Sequence, residues 1–174
     1  MIHVYVDETK AGDYVLAATS VDPSREAQVR ATLRRLTPPR QSRLHMRNEP
    51  DRRRRAILSS LERLPVPTTL YRASGACGNQ TTRRRACLAG LVADLATTAD
   101  RLVLESDDQQ DARDRRELVE LTRSAGCRDT LRYEHLRASQ EPLLCVPDAV
   151  AWSWARGGEW RRRVSGIVER VVDV

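Results

Sequence analysis

Ile2-His3-Val4-Tyr5-Val6-Asp7-Glu8-Thr9, then Lys10-Ala11-Gly12-Asp13, then Tyr14-Val15-Leu16-Ala17-Ala18-Thr19-Ser20-Val21 opens the chain. Residues 2–7 are β-branched, aromatic and acidic without regular polar alternation, which suits a strand covered on both faces. Residues 10–13 carry a turn signal, and 14–21 form a second apolar run. The two runs predict a β-hairpin. Alternation of side chains puts His3, Tyr5 and Asp7 on one face; Glu8 points the other way or starts the turn.

Beyond the hairpin, helical and strand patterns alternate. Asp22-Pro23-Ser24 starts a helix over 26–36, with Val29, Leu33 and Leu36 on one face, and Pro38-Pro39 ends it. Arg43-Leu44-His45-Met46 reads as a third strand or as a loop. A helix follows from about Asn48 to Leu64, a strand over 68–73, and a long helix over 81–99 with Leu88, Leu91, Val92 and Leu95 at helical spacing. Arg101–Glu105 is a strand, Asp111–Ser124 a helix ended by Gly126, and 130–136 a strand. Pro147–Ala155 and about Trp160–Val172 read as helices, with Pro147 in a first helical position. A hairpin followed by such alternation predicts an α/β domain, a mixed sheet with helices on its faces.

The chain has 174 residues, 40% hydrophobic and 31% charged, which is enough for one globular domain over 1–174 and too apolar for disorder. Its four cysteines lack zinc-knuckle spacing, no signal peptide is evident, and no apolar run reaches the roughly 18 residues of a membrane span. The expectation is a soluble cytoplasmic protein with reduced thiols. The net charge of +6 favours an acidic partner such as nucleic acid, DNA or RNA. A compositional bias competes with that reading: Lys10 is the only lysine among 30 basic residues, and phenylalanine is absent. The arginine runs at 52–55, 83–85 and 161–163 fall on predicted helices and read first as solvated faces.

Three acids stand out. Asp7 ends a strand expected to be buried, although a strand-end acid entering a turn has the same pattern. Glu105 lies inside its strand, sharing a face with Val103, while Asp107 or Asp108 beyond it suits a cap for the next helix. Asp148 is the one acid in the first turn of a segment apolar nearly all round, a placement the helix dipole favours by about 0.3–1 kcal/mol. If the three meet, carboxylates about 4 Å apart repel by roughly 4 kcal/mol at an effective dielectric near 20. Such a cluster needs protons or a hard cation, Mg²⁺ or Mn²⁺, which in turn activates water and orients phosphate oxygens.

Val4-Tyr5-Val6-Asp7-Glu8-Thr9, Arg43-Leu44-His45-Met46 and Leu143-Leu144-Cys145-Val146-Pro147-Asp148-Ala149-Val150-Ala151 together resemble the family called domain of unknown function 3800. That family begins with a strand and Asp-Glu-Ser, and its last helix reads Leu-Gln-Leu-Ala-Asp-Leu-Ile-Ala. The resemblance extends over almost the whole chain. It implies a ribonuclease-H-like fold and metal-dependent phosphodiester chemistry, with Asp7, Asp148 and, by position, Glu105 as metal-binding catalytic acids. His45 is a further catalytic candidate, to contact a phosphate or position water; a histidine packed at a strand edge has the same pattern. His135 is a second such candidate, and His3 reads as structural. Trp152 and Trp154 would stack on bases if exposed, but on a buried helix they read as core. Thr9 in place of serine and Cys145-Val146-Pro147 before the last acid depart from the family pattern. Two other readings remain open: a non-catalytic nucleic-acid- or partner-binding module on the same fold, and an enzyme or sensor for a small phosphorylated ligand.

Overall fold

In the computed structural model, which describes residues 1–174, the opening hairpin forms between β1 (Ile2–Thr9) and β2 (Tyr14–Val21), paired antiparallel. Gly12, at φ 83, supplies the left-handed residue its turn requires. Four further strands, β3 (Thr68–Ala73), β4 (Ala99–Glu105), β5 (Arg132–Leu136) and β6 (Val168–Asp173), complete a six-stranded sheet in the order β5-β4-β1-β2-β3-β6. β3 runs antiparallel to β2, whereas β4, β5 and β6 join by parallel pairing. The sheet is therefore mixed, with the hairpin at its centre.

Six helices cover it: α1 (Glu26–Leu36), α2 (Asp51–Leu61), α3 (Gln80–Leu95), α4 (Asp111–Ser124), α5 (Cys145–Arg156) and α6 (Gly158–Val164). The strict alternation of β1 separates two cores. Tyr5 faces a core built with Val29, Leu33, Ile57, Leu58, Val150 and Val164, from α1, α2, α5 and α6. Val4 and Val6 face the other, built with Leu88, Leu91, Val92 and Leu118, from α3 and α4. α5 packs directly on β1 and β2, and its apolar turns explain why it is the helix buried most fully against the sheet.

Several elements differ from their sequence expectation. The predicted last helix over 160–172 ends at Val164; Ser165 and Gly166 turn the chain, and Val168–Asp173 is strand β6, in parallel pairing with β3. Its Val-Glu-Arg-Val-Val run has strand propensity, and the sheet edge supplies partners that outweigh the helical spacing. The long helix stops at Leu95 rather than at 99, because Ala99 already pairs with Ile2 in the sheet. The segment 43–46 is not a strand but a loop running into a short 3₁₀ turn, Met46–Asn48. β5 starts at Arg132, two residues later than the spacing suggests. α5 starts at Cys145, so Pro147 stands in its first turn rather than at its first position, where the missing N–H still costs no helical bond. No helix is long and apolar enough to cross a membrane.

Candidate functional site

β1 and β4 lie side by side and parallel, with Tyr5 opposite Val103. Two residues further along each strand, on the same face, stand Asp7 and Glu105. Parallel pairing thus brings both acids to one end of the sheet, at neighbouring strand positions separated by a strand spacing of about 4.8 Å. α5 crosses β1 on this face and delivers Asp148 from its first turn. The three acids predicted from sequence therefore form one cluster, although 98 and 43 residues of chain separate them in order.

The cluster carries more negative charge than its surroundings offset. Asp7 holds its proton well above the usual carboxylate range: burial pushes it up first, and the charges of Glu105, Asp148 and Glu8 push in the same direction. Glu105 is close enough to Asp7 to add a side-chain contact to that upward push. Its Oδ1 accepts the Glu8 N–H at 2.7 Å.

The other two acids have taken partners from the loop between α1 and α2. Arg43 Nη1 donates to Glu105 Oε1 at 2.5 Å. His45 Nδ1 is 3.1 Å from Asp148 Oδ1, and the Met46 N–H donates to Asp148 Oδ2 at 2.9 Å. The bond to Asp148 is the main reason that the His45 imidazole is easier to protonate than usual, against a smaller opposing effect of burial. His45 is thus neither a strand-edge packing residue nor free: it braces Asp148. With Arg43 and His45 so placed, no three His, Cys, Asp or Glu side chains form a ready metal cage. The donors nonetheless suit a hard divalent cation, since all are carboxylate oxygens and Asp7 has none of the positive partners that Glu105 and Asp148 have found.

Two open grooves flank the cluster. One, of about 660 Å³, has no hydrophobic lining residue; Asp7, Glu105, Arg43, Asp107 and Arg137 line it. The other, of about 610 Å³, lies on the Asp148 side and includes His45, Arg47, Lys10 and Trp152. Glu8 lines both.

His135 is elsewhere. It sits on β5 with its side chain 1% exposed, 3.3 Å from Asp114 and on the opposite face of the sheet. There it belongs to a buried network centred on Arg84, which donates to Asp114 at 2.8 and 2.6 Å, to Glu8 at 2.9 Å and to Tyr14 at 2.6 Å. Neither Asp107 nor Asp108 caps α4, whose N-cap is Gln110 without a side-chain cap bond; Asp107 holds the turn before it, its side chain accepting the Gln109 N–H at 3.0 Å and its carbonyl accepting from Gln110 and Asp111.

Sequence reasoning passed over Arg43, Arg137 and the groove position of Trp152. Arg43 had a signal: in extended chain it shares a side with His45 two residues on. The arginine runs are also less solvated than their pattern suggests. Arg84 is buried, and Arg54, Arg55 and Arg161 lie over the Trp152, Trp160 and Trp154 rings at 4.4, 5.4 and 4.6 Å. Trp152 and Trp154 are half-buried rather than core.

No protein-family model matches the chain. No curated protein matches it either. Among solved structures it is similar to RNase HII of Archaeoglobus fulgidus, determined in complex with PCNA, at 16% identity and a TM-score of 0.63, over 90% of this chain and 73% of that one. It is also similar to Bst-RNase HIII in complex with Mn²⁺, at 17% identity and a TM-score of 0.53, over 87% of this chain and about half (51%) of that one. The fold is ribonuclease-H-like.

Proposed function

We propose that this chain is a divalent-metal-dependent phosphodiester hydrolase acting on nucleic acid, one ribonuclease-H-like domain whose motifs resemble those of the family called domain of unknown function 3800. The observation that carries the proposal is the meeting of Asp7, Glu105 and Asp148, from three distant stretches of chain, where two grooves adjoin: Asp7 and Glu105 line the one without hydrophobic residues, and Asp148 lines the other. Nothing in the packing of the sheet requires three acids there, and their mutual repulsion costs stability. The similarity of the fold to an RNase HIII solved with Mn²⁺ supports the choice of magnesium or manganese.

Asp7, Glu105 and Asp148 would hold the cation, which would supply Lewis-acid activation of a phosphate and of water. The remaining work falls to the chain's own side chains. His45 and the Met46 N–H fix the orientation of the Asp148 carboxylate. Arg43 and Arg137, on the walls of the larger groove, suit phosphate oxygens of the bound strand. Glu8, held by Arg84 at 2.9 Å, lines both grooves.

A binding-only reading has one observation in its favour: Arg43 and His45 already pair two of the three acids. Thermal unfolding and oligonucleotide cleavage with and without millimolar Mn²⁺ separate the two. A cation at about 100 times its dissociation constant adds about 2.7 kcal/mol, a rise of several degrees in a chain of this size. The hydrolase reading expects that rise, Mn²⁺-dependent cleavage, and loss of both in Asp7→Asn and Asp148→Asn, with cleavage falling about a hundredfold or more. Salt-sensitive binding with no response to the cation would leave only a binding module.

A further inference from the structure

We propose that the groove on the Asp148 side is a nucleobase subsite, in which an unpaired base of a single strand stacks on Trp152. Its role in presenting a strand to the acids rests on the hydrolase reading; the binding it describes does not.

Trp152 follows Asp148 by four residues in α5, so both side chains project from the same side of the helix. Its neighbours Ala149, Val150, Ala151 and Ser153 are buried, while Trp152 is half-buried and forms part of the groove wall with His45, Arg47, Lys10, Glu8 and Asp148. The groove's volume of about 610 Å³ falls inside the range of roughly 300–1,000 Å³ typical of small-ligand sites.

The indole is held in a fixed orientation. The Arg54 guanidinium lies 4.4 Å from its ring centroid, and Arg54 is itself tied to the carbonyls of Met46 and Arg47, at 2.9 Å each, and to Asp51 at 2.7 Å. Trp160 meets the indole edge-on at 5.3 Å and 72°. Arg55 and Arg161 lie over Trp160 and Trp154 in a similar way, but of the three rings Trp152 is the one that borders this groove. Braced in advance, Trp152 loses little freedom on binding a base.

Charge in the same groove suits the backbone of a strand. Arg47 is exposed and has no acid partner, whereas Lys10, in the same groove wall, is already paired with Glu8 at 3.3 Å. A base paired in a duplex has both faces covered by its neighbours, so stacking on Trp152 selects unpaired bases, and base–aromatic stacking tolerates any of them.

The test is equilibrium binding of short labelled strands to the full chain in EDTA, where no cation-dependent cleavage can occur. The probes are a single strand of thymidylate or uridylate, the same strand with abasic sites, and a duplex. The intact strand should bind about 5- to 150-fold more tightly than the abasic strand of equal charge, in at least one sugar form. Trp152→Ala should abolish that difference, and Trp152→Phe should retain most of it and report that the fold is intact. Trp154→Ala, under Arg161 and outside the groove, should leave it unchanged. Arg47→Ala should weaken intact and abasic strands alike. Equal binding of intact and abasic strands, equal binding of single strand and duplex, or a base preference that survives Trp152→Ala would each overturn the subsite. Base-dependent binding with no Mn²⁺-dependent cleavage would remove the hydrolase and keep the subsite; cleavage without base-dependent binding would do the reverse.

Discussion

Asp7 and Glu8 are consecutive acids on one strand, and the pleat sends them to opposite faces and opposite fates. Glu8 enters a matched set: Arg84 serves both Glu8 and Asp114, and Lys10 reaches Glu8 at 3.3 Å. Glu8 and Asp114 there each have a cation against them. Asp7 enters a set in which three acids have only Arg43 and His45, and it has neither for itself. The carboxyl groups report the difference. Burial pushes Asp114 up, but hydrogen bonds from Arg84 and His135 outweigh it and hold Asp114 below its usual range. Asp7 stays far above. Buried charge that is matched builds the fold, whereas buried charge left in excess marks where something else is meant to bind.

The largest expected effect breaks the matched side. Arg84→Ala leaves Asp114 and Glu8 facing each other without their shared cation, and removing one partner of a buried pair costs about 3–5 kcal/mol. Urea unfolding should show that loss, and a variant within 1 kcal/mol of the parent would mean that the network is not what holds α3 to α4. Asp7→Asn should move stability the other way. It removes a carboxyl that folding forces to keep a proton the unfolded chain would release, so the metal-free variant should gain on the order of 1 kcal/mol while losing its response to Mn²⁺. Opposite signs from two charged side chains at one sheet end are the sharpest form of the contrast, and a loss of stability in Asp7→Asn would erase it.

Much of this contrast was legible in order but not in space. The hairpin, α1 and α4 follow their sequence signals nearly to the residue, because Gly12, Pro38-Pro39 and Gly126 punctuate them. Strand alternation alone sent Asp7 and Glu8 to opposite faces. Pairing was not legible: the meeting of Asp7 with Glu105 depends on a parallel register between strands 90 residues apart, and local pattern does not encode it. β6 was hidden for the same reason, since a strand taken up at an edge beside β3 reads locally as the end of a helix. Arg84 was unreadable inside its Arg83–Arg85 run, where only tertiary packing distinguishes the buried member from its solvated neighbours.

Arg43 offers a smaller and more specific test on the excess side. Its guanidinium holds Glu105, so a cation at the cluster must share that acid with it. Arg43→Ala should therefore tighten Mn²⁺ binding by about five- to tenfold, about 1 kcal/mol, seen as a larger thermal shift at subsaturating Mn²⁺. It should also weaken strand binding in EDTA if Arg43 serves a phosphate, because that contact is lost whatever the metal does. Unchanged Mn²⁺ affinity would show that Glu105 does not have to leave Arg43 for the cation to bind.

The smallest effect is one of slope, and it returns to the matched side. Asp114 is faced by Arg84, His135, Asp111, Glu117 and, through Arg84, Glu8. Its carboxyl is held low in the folded chain, so the folded state binds fewer protons than the unfolded one in the acid range. By linkage, the stability that ionised Asp114 contributes is fully present above the ordinary carboxylate range near pH 4 and is lost as pH falls through its lower folded value. Asp114→Asn has the same shape and no charge at any pH. It should be less stable than the parent at neutral pH, and the gap between the two should narrow below about pH 4. Taking the difference cancels the titration of groups not coupled to Asp114, so the narrowing reports Asp114 together with the neighbours that face it. A gap that stays constant into acid would mean that the loss at neutral pH comes from packing or from the amide's poorer fit to Arg84, and that matched charge is not what distinguishes this face from the one that carries Asp7.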